Sequence, residues 1–96
     1  MVYVDDMYAI SLGAFGRMKM SHMMADTTDE LLAMVDKIGV KRKWLQKGET
    51  KLEHFDISLA KRKLAIEKGT IPVSMRQLSA AAMKRDNQND RLIIDE

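Results

Sequence analysis

The stretch RMKMSHMMADTTDELLAMVDKIGV, Arg17 to Val40, decides how the fold is read. Its second half is a helix with both ends marked. Thr27 followed three residues later by Glu30 is a capping-box pattern, and Leu31, Leu32, Met34, Val35 and Ile38 fall on one stripe at helical spacing. Gly39 follows as a stop, since glycine takes the left-handed conformation that closes many helices. The spacing predicts a helix over 28–38. In the first half, Arg17-Met18-Lys19-Met20 alternates cations with apolar residues at a period of two. Part of 17–25 therefore reads as a strand, with a helical turn as the alternative because methionine is a poor strand former. A strand that runs into a capped helix is the unit of an α/β layer protein.

The flanks repeat this grammar. Val2-Tyr3-Val4 is a short run of strand formers closed by Asp5-Asp6, and residues 7–16, with Gly13 and Gly16, read as a loop. Val40 to Thr50 reads as a basic exposed connection in which Trp44 and Leu45 need something to pack on. Leu52 to Ile57 alternates, which predicts a strand with Phe55 and Ile57 inward. Ser58 can cap a second helix over 59–68 ended by Gly69, and Ile71-Pro72-Val73 suits an edge strand. Ser74 with Gln77 repeats the capping box and opens a third helix over 75–85. The expected fold is α/β: a small single domain over residues 1–85, a short sheet of about three to four strands with about three helices, and a polar C-terminal tail over 86–96.

Composition bounds the function. The 96 residues are 46% hydrophobic and 31% charged, which suits a folded chain rather than a disordered one. The absence of cysteine excludes disulfides, thiolate zinc sites and cysteine nucleophiles. No apolar run approaches the ~20 residues that cross a bilayer, and acids stand near the N-terminus where a signal peptide carries lysines. No membrane association and a cytoplasmic location are expected. The net charge of +2 hides an asymmetry: residues 1–40 carry three basic and six acidic groups, whereas 41–70 carry nine basic and four acidic. Lys41-Arg42-Lys43 and Lys61-Arg62-Lys63 hold that excess, and clustered cations suit phosphate groups. Nine methionines outnumber five aromatics, and Met7, Met18, Met20, Met23 and Met24 surround His22. They read as core filling, as a pliable wall of a site, or as a contact within a homo-oligomer.

The polar residues define a candidate site. His54 and Asp56 lie two apart and share one face of the expected strand. A histidine beside a carboxylate can act as a general base near neutral pH, so His54 is the candidate base, oriented by Asp56, with His22 completing the catalytic set. Asp5 and Asp26 would both stand at strand exits, the edge where open α/β sheets bind ligands. Arg17, and Lys61 or Arg62 in the first turn of a helix, are candidate ligand-binding cations for phosphate. Structural readings stand beside each of these: His22 as a core histidine, His54 and Asp56 as a helix-capping pair, Ser58 as an N-cap. No histidine spacing matches a metal-ligand signature, so no cofactor is assigned, although the donor set itself suits a divalent ion.

These motifs carry a resemblance. Val2-Tyr3-Val4-Asp5-Asp6, Gly16 through Thr27, Glu30-Leu31, Ile38-Gly39-Val40, Trp44-Leu45-Gln46, His54 through Ser58, Lys61-Arg62 and Pro72 through Leu78 resemble the bacterial and phage family called domain of unknown function 4031. The resemblance implies a small stand-alone protein and no particular activity. The family's motif histidines fall on His22 and His54, and its aspartates on Asp5, Asp26 and Asp56. The first expectation is a protein that binds a nucleotide-like, phosphate-containing small molecule at the His/Asp cluster, with hydrolysis left open. The second is a non-catalytic module that docks a protein or nucleic acid through the basic middle third and the methionine-rich segment.

Overall fold

Three helices begin where a hydroxyl side chain can accept from the third amide inward. Thr27 opens α1 (Thr28–Ile38), Ser58 opens α2 (Leu59–Glu67) and Ser74 opens α3 (Met75–Lys84), each accepting from the backbone N–H three residues on. At Ser74 the Gln77 side chain returns the bond, completing the capping box. Gly39 closes α1 with φ +77°. The computed structural model describes residues 1–10, 14–15 and 18–85. Arg17 and the expected tail over 86–96 lie outside the described residues.

The sheet is organised around one long strand. β3 (Met18–Ala25) pairs antiparallel with β1 (Val2–Val4) and with β4 (Phe55–Ser58), and β2 (Ala14–Phe15) forms a hairpin on its first residues. Met23 faces Val4 on one side and Phe55 on the other, so β3 lies between β1 and β4. β5 (Ile71–Pro72) adds parallel to β1, giving a mixed four-stranded order β4-β3-β1-β5 with the proline strand at the edge.

Alternation sorts the side chains into two layers. Val2, Val4, Met23, Ala25, Phe55 and Ile57 bury one sheet face against Leu31, Met34, Val35 and Ile38 of α1 and Ala65 of α2. Tyr3 and Met24 point the other way and meet Leu78 and Ala82 of α3, with Val73. The result is an α/β protein with helices on both faces. No helix among the described residues is long and apolar enough to cross a membrane.

Several local expectations shift. The segment expected as a loop holds a 3-10 turn at Met7–Ala9 as well as β2. The strand expected from Leu52 starts at Phe55, because residues 47–52 form a tight turn. There Lys47 and Glu49 take positive φ, and the Thr50 hydroxyl donates to the Lys47 carbonyl at 2.6 Å. Trp44 was expected to pack, yet it is 61% exposed in a second 3-10 turn (Arg42–Trp44), with the Lys43 ammonium 5.0 Å from its ring centre. Leu45 does pack against the core.

Candidate functional site

Register builds the site. In the β3–β4 ladder His22 stands directly opposite Asp56, and His54, two residues before Asp56, shares its face. The two backbone groups of His54 pair with Gln46 at 3.0 Å each, which holds the residue in line just ahead of β4. The imidazole rings of His22 and His54 lie edge to face with centres 5.2 Å apart. His22 Nε2 is 3.8 Å from Asp56 Oδ1, and His54 Nε2 is 3.5 Å from the same oxygen.

Asp5 supports the cluster from beneath. It is buried at the end of β1, and its amide donates to the His22 carbonyl at 3.0 Å. Its Oδ1 accepts the His22 amide at 2.9 Å and the Met7 amide at 3.1 Å, while Oδ2 meets His22 Nδ1 at 2.7 Å. A buried carboxylate so bonded accepts only, so Nδ1 carries the proton in the neutral His22 ring and Nε2 then presents a lone pair. His54 Nδ1 donates to the Leu52 carbonyl at 2.8 Å, which leaves its Nε2 a lone pair as well. Gln46 Nε2 donates to Asp56 Oδ2 at 2.8 Å.

Burial pushes the Asp5 carboxyl up, but hydrogen bonds from the His22 ring and from the His22 and Met7 amides outweigh it and hold the group below its ordinary range. His22 is raised above its ordinary value, first by its hydrogen bond to Asp5 and then by the nearby charges, against desolvation. The signs give a pH window. Asp5 contributes stability above its unfolded pKa of about 4 and loses it as pH falls through the lowered folded value. His22 contributes below about 6.5 and loses it as pH rises through the raised value. With chelator present, urea midpoints should therefore be highest between these limits, and Asp5→Asn should flatten the alkaline decline. An unchanged alkaline limb in that variant would refute the coupling.

The other candidates fall elsewhere. Asp26 bonds the Tyr3 hydroxyl at 3.3 Å and the Met1 ammonium at 3.2 Å, and it borders a separate groove beside Gln77 and Lys84. The reason is topological: β1 and β3 are antiparallel, so the exit of β3 lies at the entry of β1, the end opposite Asp5. Lys61 donates to the Ile38 carbonyl at 2.7 Å, where its charge suits the C-terminus of α1. Arg62 donates through Nε to the Asp5 carbonyl at 2.9 Å and lies 4.6 Å from the centre of the Tyr8 ring. It steadies the backbone behind the site. Asp56 makes no hydrogen bond to His54; the oriented histidine is His22, and the orienting group is Asp5. Gln46 and the Leu52 carbonyl were not anticipated, because the pairing of 46 with 54 has no signature in the sequence.

A cavity of about 250 Å³ adjoins the cluster, lined by Asp5, His22, Met24, Lys47, Leu52, His54, Met75, Leu78, Ser79 and Ala82. Met24, Met75, Leu78 and Ala82 make its wall largely apolar, and Lys47 is the one lysine or arginine lining it among the described residues. Of the methionine-rich segment, Met23 fills the main core and Met24 lines this cavity.

A family model described as a protein of unknown function, DUF4031, matches residues 2–85, and the chain belongs to that family. No curated protein and no solved structure matches the chain.

Proposed function

We propose that this member of the DUF4031 family binds a nucleotide-like, phosphate-bearing small molecule in the cavity between α3 and the sheet. The supporting observation is convergence. Asp5, His22 and His54 come from three separate segments and meet at one side of an otherwise apolar cavity that also holds Lys47. Titratable groups gathered at the mouth of an apolar pocket mark a ligand site by chemistry rather than by fold. An anionic end belongs near Lys47 and a flat apolar body against Met24, Met75 and Leu78. The volume falls below the ~300–1,000 Å³ of common ligand clefts, which favours a compound of mononucleotide size or smaller.

A thermal-shift screen of mononucleotides, cyclic nucleotides and inorganic phosphate tests this. A ligand at a hundredfold excess over its Kd adds about 2.7 kcal/mol, which in a chain of this size raises the melting temperature by roughly 10–20 °C. Ser79→Trp, at an exposed helix position on the cavity wall, should abolish the shift while leaving the unliganded melting temperature nearly unchanged. Assaying the same samples for phosphate release decides turnover. A flat screen would sink the proposal. The second reading, nucleic-acid docking, draws on the exposed Trp44 beside Lys43. It predicts instead a salt-dependent gel shift that weakens when Lys41, Arg42 and Lys43 are neutralised.

A further inference from the structure

We propose that His22, His54 and Asp56 form a divalent transition-metal site of the two-histidine, one-carboxylate type. One ligand atom from each lies within 4.8 Å of the other two. The proposal stands on where hydrogen atoms can be. His22 Nδ1 donates to Asp5 and His54 Nδ1 donates to the Leu52 carbonyl, so both rings, when neutral, turn a lone pair on Nε2 toward Asp56. Asp56 Oδ2 is occupied by Gln46, whereas Oδ1, the atom facing both rings, is buried and has no hydrogen-bond partner among the described residues.

With both rings neutral, three acceptors therefore converge with no donor among them. Such an arrangement repels itself unless a cation lies between the atoms. A proton on His22 Nε2 does not supply the missing bond, because that nitrogen stands 3.8 Å from Oδ1, beyond hydrogen-bond reach. A metal ion bonds all three atoms at once. Ligand atoms at ~2.1 Å from zinc stand about 3.4 Å apart in a tetrahedron, close to the 3.5 and 3.8 Å of the two histidine–carboxylate edges.

The supporting contacts are those metal sites use. A carboxylate behind one histidine and a backbone carbonyl behind the other fix tautomer and ring orientation, and an amide holds the spare carboxylate oxygen. Two nitrogen donors select zinc, cobalt, nickel or iron over magnesium and calcium, which prefer oxygen. Three protein ligands leave a coordination position open. His22 and His54 also line the cavity, so the cluster borders the space proposed for the ligand. The site does not rest on the ligand reading, because metal binding is measured with no ligand present.

The test is calorimetric titration of the chelator-dialysed full chain with Zn2+, repeated with Co2+, whose visible absorption reports its coordination. The chain has two histidines and no cysteine, so tight 1:1 binding has few other donors to draw on. Wild-type protein should bind one Zn2+ and should ignore Mg2+ and Ca2+ at the same concentrations. His54→Ala and Asp56→Asn should each weaken binding at least 100-fold, and Asp5→Asn, acting through His22, about 10- to 100-fold. Asp26→Asn, a carboxylate outside the cluster, should bind as wild type does. Circular dichroism confirms that each variant is folded, and Asp56→Asn, nearly isosteric, serves if His54→Ala is not. The proposal is overturned if wild type binds none of these transition metals at 1:1, or if folded His54→Ala and Asp56→Asn bind as tightly as wild type. A positive metal titration with a flat nucleotide screen would leave the metal site standing without the ligand.

Discussion

Replacing Arg85 by leucine should lower the unfolding free energy by about 3–5 kcal/mol, a large share of the 5–15 kcal/mol expected for a small domain. Arg85 follows α3, and its Nη2 donates to Glu53 Oε2 at 3.3 Å and to the Thr28 hydroxyl at 3.0 Å. Glu53 is fully buried, and both of its oxygens lie 2.7 Å from that hydroxyl. Without the guanidinium a carboxylate is left in the interior with, among the described residues, only the Thr28 hydroxyl to stabilise it. The pair itself is not a large net gain, since among the described residues Arg85 Nε and Nη1 are buried with no hydrogen-bond partner to compensate their desolvation. Removing both charges should thus cost far less than removing one. Glu53→Leu with Arg85→Leu should recover most of the stability, as read by urea unfolding in a double-mutant cycle. Equal losses in the single and double variants would contradict this account. The pair fastens the end of α3 to the turn before β4 and to α1, so it also holds the helix that walls the cavity.

Asp5→Ala should cost about 3–5 kcal/mol, because it strands the buried Met7 amide and the half-buried His22 amide and unties the His22 ring. Asp5→Asn is the more informative change. Its oxygen can still accept both amides, at a cost of about 1–2 kcal/mol. Its nitrogen, however, now donates toward His22 Nδ1, which must turn acceptor. The proton moves to Nε2, and the lone pair that faces Asp56 disappears. Ring nitrogen chemical shifts of His22 should show that exchange of tautomers. An unchanged tautomer would mean that Asp5 does not set the orientation of the site.

Much of the fold was legible because it is local. Thr27, Ser58 and Ser74 sit within one turn of the amides they cap, and Gly39 supplies a conformation that other residues resist. Helix boundaries followed to within a residue. That His54 and Asp56 share a face was legible too, since it needs only the two-residue period of a strand. Trp44 failed as an expectation because burial of a large apolar residue is a tendency, and the three residues before it in the chain are cations.

The site was legible only in part, and the division has a physical cause. Sequence alone determined the capped helices, the inward Phe55 and Ile57, and the face that carries His54 and Asp56. These depend on spacing within one segment. Tertiary structure alone decided that Met23 pairs with Val4 and Phe55, which sets His22 against Asp56. A slip of one residue would turn His22 into the core and Met23 out of it. Antiparallel pairing likewise carried Asp26 away from Asp5. The same long-range packing placed Gln46 behind Asp56 and Arg85 against Glu53. Each of those contacts joins segments whose separation along the chain is unrelated to their distance in space. Their register follows from which buried surfaces fit together, and no single segment encodes that.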